Sequence, residues 1–176
     1  MGLKVVQLGL RAWEFIWSLL LMALLGNMIA EAFAGNPATV NYSIFCSVFS
    51  MLTLFYTIPA SFNIDWAGHP IIMIVLDSLN CVFFFCAAIA LAAKLECHSC
   101  NNTEYLKNNE ITNGSNNMTK RCREAQASVA FLWFAWAGYM ASVVVSVFMS
   151  RASTVNLRGR TGSARRGGGA PSMAQV

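Results

Sequence analysis

The chain has 176 residues, of which 56% are hydrophobic and only 11% charged, with a net charge of +4 at neutral pH. A water-soluble domain carries about 25% charged residues spread over its surface, whereas here the charges gather at the two ends and in one internal segment. That distribution excludes a soluble domain and points to a multi-pass membrane protein.

A spanning helix needs about 20 mostly apolar residues, because each residue rises about 1.5 Å through a hydrocarbon core of about 30 Å. Four segments qualify in chain order: 13–34, 42–62, 70–93 and 127–149. The sequence therefore predicts an all-α membrane protein, a bundle of four transmembrane helices within residues 1–149. The first span has Glu14 and Glu31 near its ends, where a carboxylate is expected to reach headgroups or water. A cleavable signal peptide is the competing reading, from the basic start at Lys4 and Arg11 and the small-residue site Ala32-Phe33-Ala34. Against it, the apolar run is long for a signal and Glu31 sits just before the site. In the second span, Pro59 is expected to kink the helix or end it near Phe62.

The third span contains Asp77, the one ionisable group well inside a predicted span, and no Lys or Arg lies inside any of the four to neutralise it. An aspartate at a helix centre costs about 2.5 to 3.5 kcal/mol on insertion scales. Asn80 lies one turn on and shares its face. Such an acid is either a proton or ion site or a hydrogen-bonded structural group. The second is favoured, because a transporter carries several such groups and broken helices.

Residues 94–126 form the long connection between the third and fourth spans. It contains the N-glycosylation sequons at Asn101, Asn113 and Asn117. A further match at Asn41 lies against the membrane end of the second span. Three sequons together place this loop outside the cell, and both termini, on the opposite side, in the cytosol. The arginine-rich end of the chain agrees with that orientation. Outside the cell thiols are oxidised, so Cys97, Cys100 and Cys122 are disulfide candidates: one bridge and one thiol left over. A bridge to Cys122 closes a loop of about 23 residues, worth roughly 3 kcal/mol in the chain-entropy model. A zinc site of Cys97, His98, Cys100 and Cys122 and a redox CxxC are weaker alternatives on this side of the membrane.

The fourth span places Gly138, Ser142 and Ser146 on one face, and the first places Gly26, Ala30 and Ala34 in the same register. Small residues at this spacing let helices approach closely, within the bundle or between subunits. Trp13, Trp17 and Trp66 read as an aromatic belt at the cytosolic boundary. Trp133 and Trp136 lie deeper, as packing residues or as a surface for a sterol or sphingolipid. The tail 150–176 is rich in Arg, Gly and Ser and is expected to be disordered. Its Arg158, Arg160, Arg165 and Arg166 would attract anionic lipid, and phosphates on Ser153, Thr154, Ser163 or Ser172 would weaken that attraction. No serine nucleophile motif, phosphate-binding loop or carboxylate pair appears, so no enzyme, no cofactor, no metal and no nucleic-acid partner are expected.

The third span's LDSLN, the pattern HSCNN…Y…N…IT.GS…RCREAQA, the following VAFLWF, the VNY before the second span and the terminal QV closely resemble the fungal non-classical export protein family. The resemblance runs from about Val40 to Phe148 and resumes at the last two residues; the first span fits only in hydrophobicity. Tetraspanins, with CCG in a long outer loop, and claudins, with cysteines in the first outer loop, fit less well. The resemblance implies a MARVEL-like four-span domain of the plasma membrane and a loop bridge Cys100–Cys122, with Cys97 the odd thiol. It also implies a self-associating organiser of furrow-like eisosome domains that responds to sphingolipid, alongside eisosome-type membrane proteins. Two further readings stay open: a small transporter or channel subunit using Asp77, and a factor in signal-peptide-independent export.

Overall fold

The computed structural model describes residues 2–33, 35–62, 70–96 and 98–164, with side chains to residue 150. The described residues form five helices: α1 (Gly2–Ala30), α2 (Ala38–Phe62), α3 (Pro70–Leu95), the short α4 (Thr103–Asn108) and α5 (Met118–Ala164). Four of them, α1, α2, α3 and the stretch Met118–Ser150 of α5, are long and apolar enough to cross a membrane. The chain is a multi-pass, all-α membrane protein.

Neighbouring helices lie around a square. α1 packs on α2 and α5, and α3 packs on α2 and α5, so α1 faces α3 across one diagonal and α2 faces α5 across the other. Burying a hydroxyl without a hydrogen bond is costly, and Ser43, Ser47, Ser61, Ser78 and Ser128 each donate to the carbonyl four residues earlier in their own helix. This lets small polar side chains sit at helix contacts without an orphaned group.

Three expectations change. The first helix begins at Gly2, not near Trp13, and its 29 residues reach about 43 Å at 1.5 Å per residue. Lys4 and Arg11 are therefore not flanking charges but helix residues, and Arg11 is buried inside the bundle. α1 contributes Leu21, Leu25 and Met28 to the common core, which makes it an integral wall of the bundle. The connection after α3 is shorter than the expected 94–126, because α5 begins at Met118 and not near residue 127, and it holds α4. Asn102 caps α4, accepting from the backbone N–H groups of Glu104 and Tyr105, and Asn117 caps α5 through Lys120 N at 3.0 Å. At the other end α5 continues to Ala164, where the sequence led to a disordered segment from residue 150. No proline interrupts that stretch. The remaining tail, 165–176, lies outside the described residues.

Pro59 lies within the last turn of α2, which ends at Phe62. The small-residue faces are used unequally. A side chain at Gly138 would put its Cβ 2.7 Å from Trp13 Cδ1, so this glycine is a notch for the α1 indole. Gly26 has nothing within 4 Å of that position, and Ala34 lies outside the described residues.

Candidate functional site

The buried face of α1 reads Gln7, Arg11, Glu14, Ser18, Leu21, Leu25, Met28, one residue every three or four positions. Its first half is polar and its second half apolar, and the polar half builds a network in the bundle interior. Arg11 grips Asp77 with two prongs, Nη1 to Oδ1 at 2.6 Å and Nη2 to Oδ2 at 2.7 Å. Nη1 also donates to Glu14 Oε2 at 2.9 Å. Glu14 Oε1 meets Ser142 Oγ on α5 at 2.5 Å. Arg11, Glu14 and Asp77 are each no more than 1% exposed.

Two expectations are corrected here. Asp77 does have a cation inside the bundle, because α1 starts early enough to bring Arg11 to its depth. Glu14 does not reach headgroups or water; it is fully buried against Arg11 and α5. Glu31 is partly exposed and pairs with Lys120.

The rest of the network closes the square. Ser146 touches both Gln7 and Asp77 at a long 3.5 Å, joining α5 to α1 and α3. Ser18 bonds Ser50 at 2.6 Å, and Ser50 bonds Tyr139 at 2.6 Å, crossing from α1 to α2 and on to α5. Asn80 donates to Thr53 Oγ1 and Leu76 O, both at 2.9 Å, so it ties α3 to α2 and makes no bond to Asp77. Among the described residues Gln7 Oε1, Arg11 Nε and Asn80 Oδ1 are buried with no hydrogen-bond partner. The sequence reading missed Gln7, Arg11, Ser18, Ser50, Thr53 and Tyr139 as members. The signal for the first three was the continuous face with Leu21, Leu25 and Met28.

A second polar assembly sits at the opposite end of the bundle. Glu96, the residue after α3, has a positive φ of 53°. The last carbonyls of α3 are taken up by the following loop: Asn109 Nδ2 donates to Lys94 O at 2.8 Å and the Tyr105 hydroxyl donates to Leu95 O. Arg121, 1% exposed, spends its guanidinium on Ile111 O at 2.5 Å, Met28 O at 2.6 Å and Asn36 Oδ1 at 3.0 Å. It thereby caps the last turn of α1, where the carbonyls carry partial negative charge. Asn27 Nδ2 donates to Glu124 Oε1 at 2.7 Å, a further tie between α1 and α5. Cys100 and Cys122 are disulfide-linked, with Cα atoms 5.7 Å apart. Both are buried with Leu106 in a small core of their own.

Asn101, Asn113 and Asn117 are exposed on this assembly. Cys97 and Trp66 lie outside the described residues, as do Arg165, Arg166 and Ser172. Arg158, Arg160, Ser153, Thr154 and Ser163 belong to the far end of α5, beyond the described side chains. Trp13 and Trp17 pack on α5 through Phe134 and Phe131, and Trp133 and Trp136 cluster with Phe85. Among the described residues no group of three His, Cys, Asp or Glu side chains is arranged to hold a metal ion.

The family described as a membrane-associating domain, MARVEL, matches residues 4–145. Non-classical export protein 2 of Saccharomyces cerevisiae is 35% identical over 170 residues, 95% of each chain. Non-classical export protein 102 of Candida albicans is 38% identical over 99% of each chain. The Schizosaccharomyces pombe homolog of non-classical export protein 2 is 30% identical over 83% of this chain and 79% of its own. No solved structure matches the chain significantly.

Proposed function

From the premise that this chain belongs to the MARVEL family of membrane-associating domains, we propose that it is a non-enzymatic organiser of plasma-membrane lipid domains of the eisosome-furrow type. It self-associates, responds to sphingolipid, and keeps both ends in the cytosol with the connection between α3 and α5 outside. One observation carries the reading: Asp77, the acid that would serve a transporter, is held by Arg11 inside a network that bonds the helices to one another. The polar groups thus serve the bundle's shape, and the outward surface is left to large apolar side chains such as Phe45, Leu52, Phe55, Val82 and Phe148. That surface meets lipid or another copy. The arginines Arg158, Arg160, Arg165 and Arg166 add attraction to anionic headgroups, and glycans on Asn101, Asn113 and Asn117 mark the outer side.

A second reading, a part in signal-peptide-independent export, is favoured by the names of the relatives. Lipid mass spectrometry on the protein purified in mild detergent tests the first: co-purifying sphingolipid or sterol, retained in a defined oligomer, is the expected result. Liposome flux abolished by Asp77→Asn would sink it in favour of a transporter. Impaired release of leaderless proteins in a deletion strain with intact furrows would favour export. A tag after Val176 should be protected from protease in intact cells, while residues 101–120 are reachable.

A further inference from the structure

The buried cluster holds two carboxylates, Asp77 and Glu14, and one guanidinium, Arg11, all at most 1% exposed. With every group ionised it carries one uncompensated negative charge in the low-dielectric interior, where an isolated ion is neutralised in preference to being tolerated. We propose that the bundle contains a proton-binding site, with Glu14 carrying the exchangeable proton and the chain's packing thereby made sensitive to pH. This stands independently of the organiser reading.

The geometry distributes the charge. Asp77 receives both prongs of Arg11, at 2.6 and 2.7 Å, which is the strong bidentate arrangement for an ionised carboxylate. Glu14 receives one N–H at 2.9 Å, from the same Nη1 that Asp77 already uses. Its other oxygen lies 2.5 Å from Ser142 Oγ, a pair in which a carboxylic O–H donates to the hydroxyl as readily as the reverse. Among the described side chains, the groups facing it from the other helices add no second cation. α3 presents Asp77, and α5 presents Ser142, Ser146 and the Tyr139 hydroxyl bound to Ser50. α2 has no Asp, Glu, Lys, Arg or His at all.

A second observation points to exchange with water. Gln7 Oε1 and Arg11 Nε are buried without partners, and Gln7 lies one turn nearer the start of α1 than Arg11. These unpartnered polar atoms continue the network from the cluster toward that end of the bundle. The proton arrives from bulk water and leaves to it; no bond between heavy atoms changes. With Glu14 neutral, the charges of Arg11 and Asp77 cancel. With Glu14 ionised, the core carries a net negative charge, so α1–α5 packing weakens as pH rises.

The test uses the full chain in lipid nanodiscs. Infrared difference spectra should show a carboxylic-acid carbonyl band that disappears as pH is raised, in step with a fall in melting temperature. In Glu14→Gln, which copies the neutral form, the band should be missing and the melting temperature should no longer fall over that pH step. Absence of the band from the folded wild type at every pH would overturn the proposal. So would a band that survives in Glu14→Gln and vanishes in Asp77→Asn, which would put the proton on Asp77. Where a variant fails to fold, wild type labelled with 13C at the glutamate carboxyl makes the same distinction: the band shifts if it belongs to a glutamate, and an unshifted band would put the proton on Asp77 and overturn the proposal.

Discussion

Arg11 on α1 and Asp77 on α3 are 66 residues apart in the chain and face each other across the diagonal of the bundle, yet their side chains meet at 2.6 and 2.7 Å. No backbone contact joins α1 to α3 among the described residues; the long arginine stem bridges the gap. Removing one partner of a buried pair leaves the other charge uncompensated, at a cost of about 3–5 kcal/mol, whereas an apolar pair of similar size is close to neutral. Arg11→Met should therefore lower the stability of the reconstituted chain by about that amount. Arg11→Met combined with Asp77→Leu should recover most of it. A double-mutant cycle on thermal unfolding measures the coupling; additive losses would mean that the pair contributes nothing.

This pair also marks how far the sequence could be read. Length and hydropathy were enough for four spans because lipid permits few alternatives to a continuous helix. They misplaced the first boundary, because Lys4 and Arg11 look like charges flanking a membrane segment. The information was present in the spacing of Gln7, Arg11, Glu14 and Ser18, which continues without a break into Leu21, Leu25 and Met28. Asp77 stood out as an isolated acid, but its partner was invisible once Arg11 had been assigned to the flank. α4 escaped notice because six residues are too short to show a period, and only the Asn102 cap announces it. By contrast the residues of the HSCNN…RCREAQA pattern acquire separate physical roles. Tyr105 and Asn109 cap α3, Ile111 and Arg121 join the loop to α5, and Cys100 and Cys122 form the bridge.

Gly138 and Trp13 give a second prediction. The indole occupies the space where a Gly138 side chain would stand, and Trp13 Nε1 donates to Phe134 O at 3.0 Å. Gly138→Leu should cost about 1–3 kcal/mol through overpacking. In a Trp13→Ala background the same change should cost much less, because the clashing ring is gone. Equal losses in both backgrounds, read by thermal unfolding, would show that the glycine serves some other contact.

Arg121 gives a third. Its guanidinium satisfies two backbone carbonyls and one amide oxygen, in a fork that a lysine ammonium cannot match in reach and direction. Arg121→Met should leave Met28 O and Ile111 O without this donor, at about 1–3 kcal/mol for each group that stays buried and unpaired. Arg121→Lys should rescue only part of the loss. Limited proteolysis from the loop side should cut within residues 110–117 faster in both variants, Met more than Lys. Unchanged cleavage would show that the loop is held without the clamp.

The last prediction concerns the bridge. Cys100 and Cys122 are separated by 22 positions, and their bond closes over α4 and the sequon-bearing turn at Asn113 and Asn117. In the chain-entropy model a loop of this length restrains the unfolded chain by roughly 3 kcal/mol. The native side contributes too, since both half-cystines and Leu106 are buried in a small core that the main bundle does not share. Cys122→Ser should therefore lower stability by roughly 3 kcal/mol and open the loop to protease, while leaving the four spanning helices folded. Reduction of the wild type should give the same shift, and reduction of Cys100→Ser none beyond the mutation itself. Non-reducing peptide mapping should recover one peptide containing Cys100 joined to one containing Cys122. A Cys97–Cys122 peptide in its place, or a reduced protein as stable as the oxidised one, would show that the bridge does not hold this end of the bundle together.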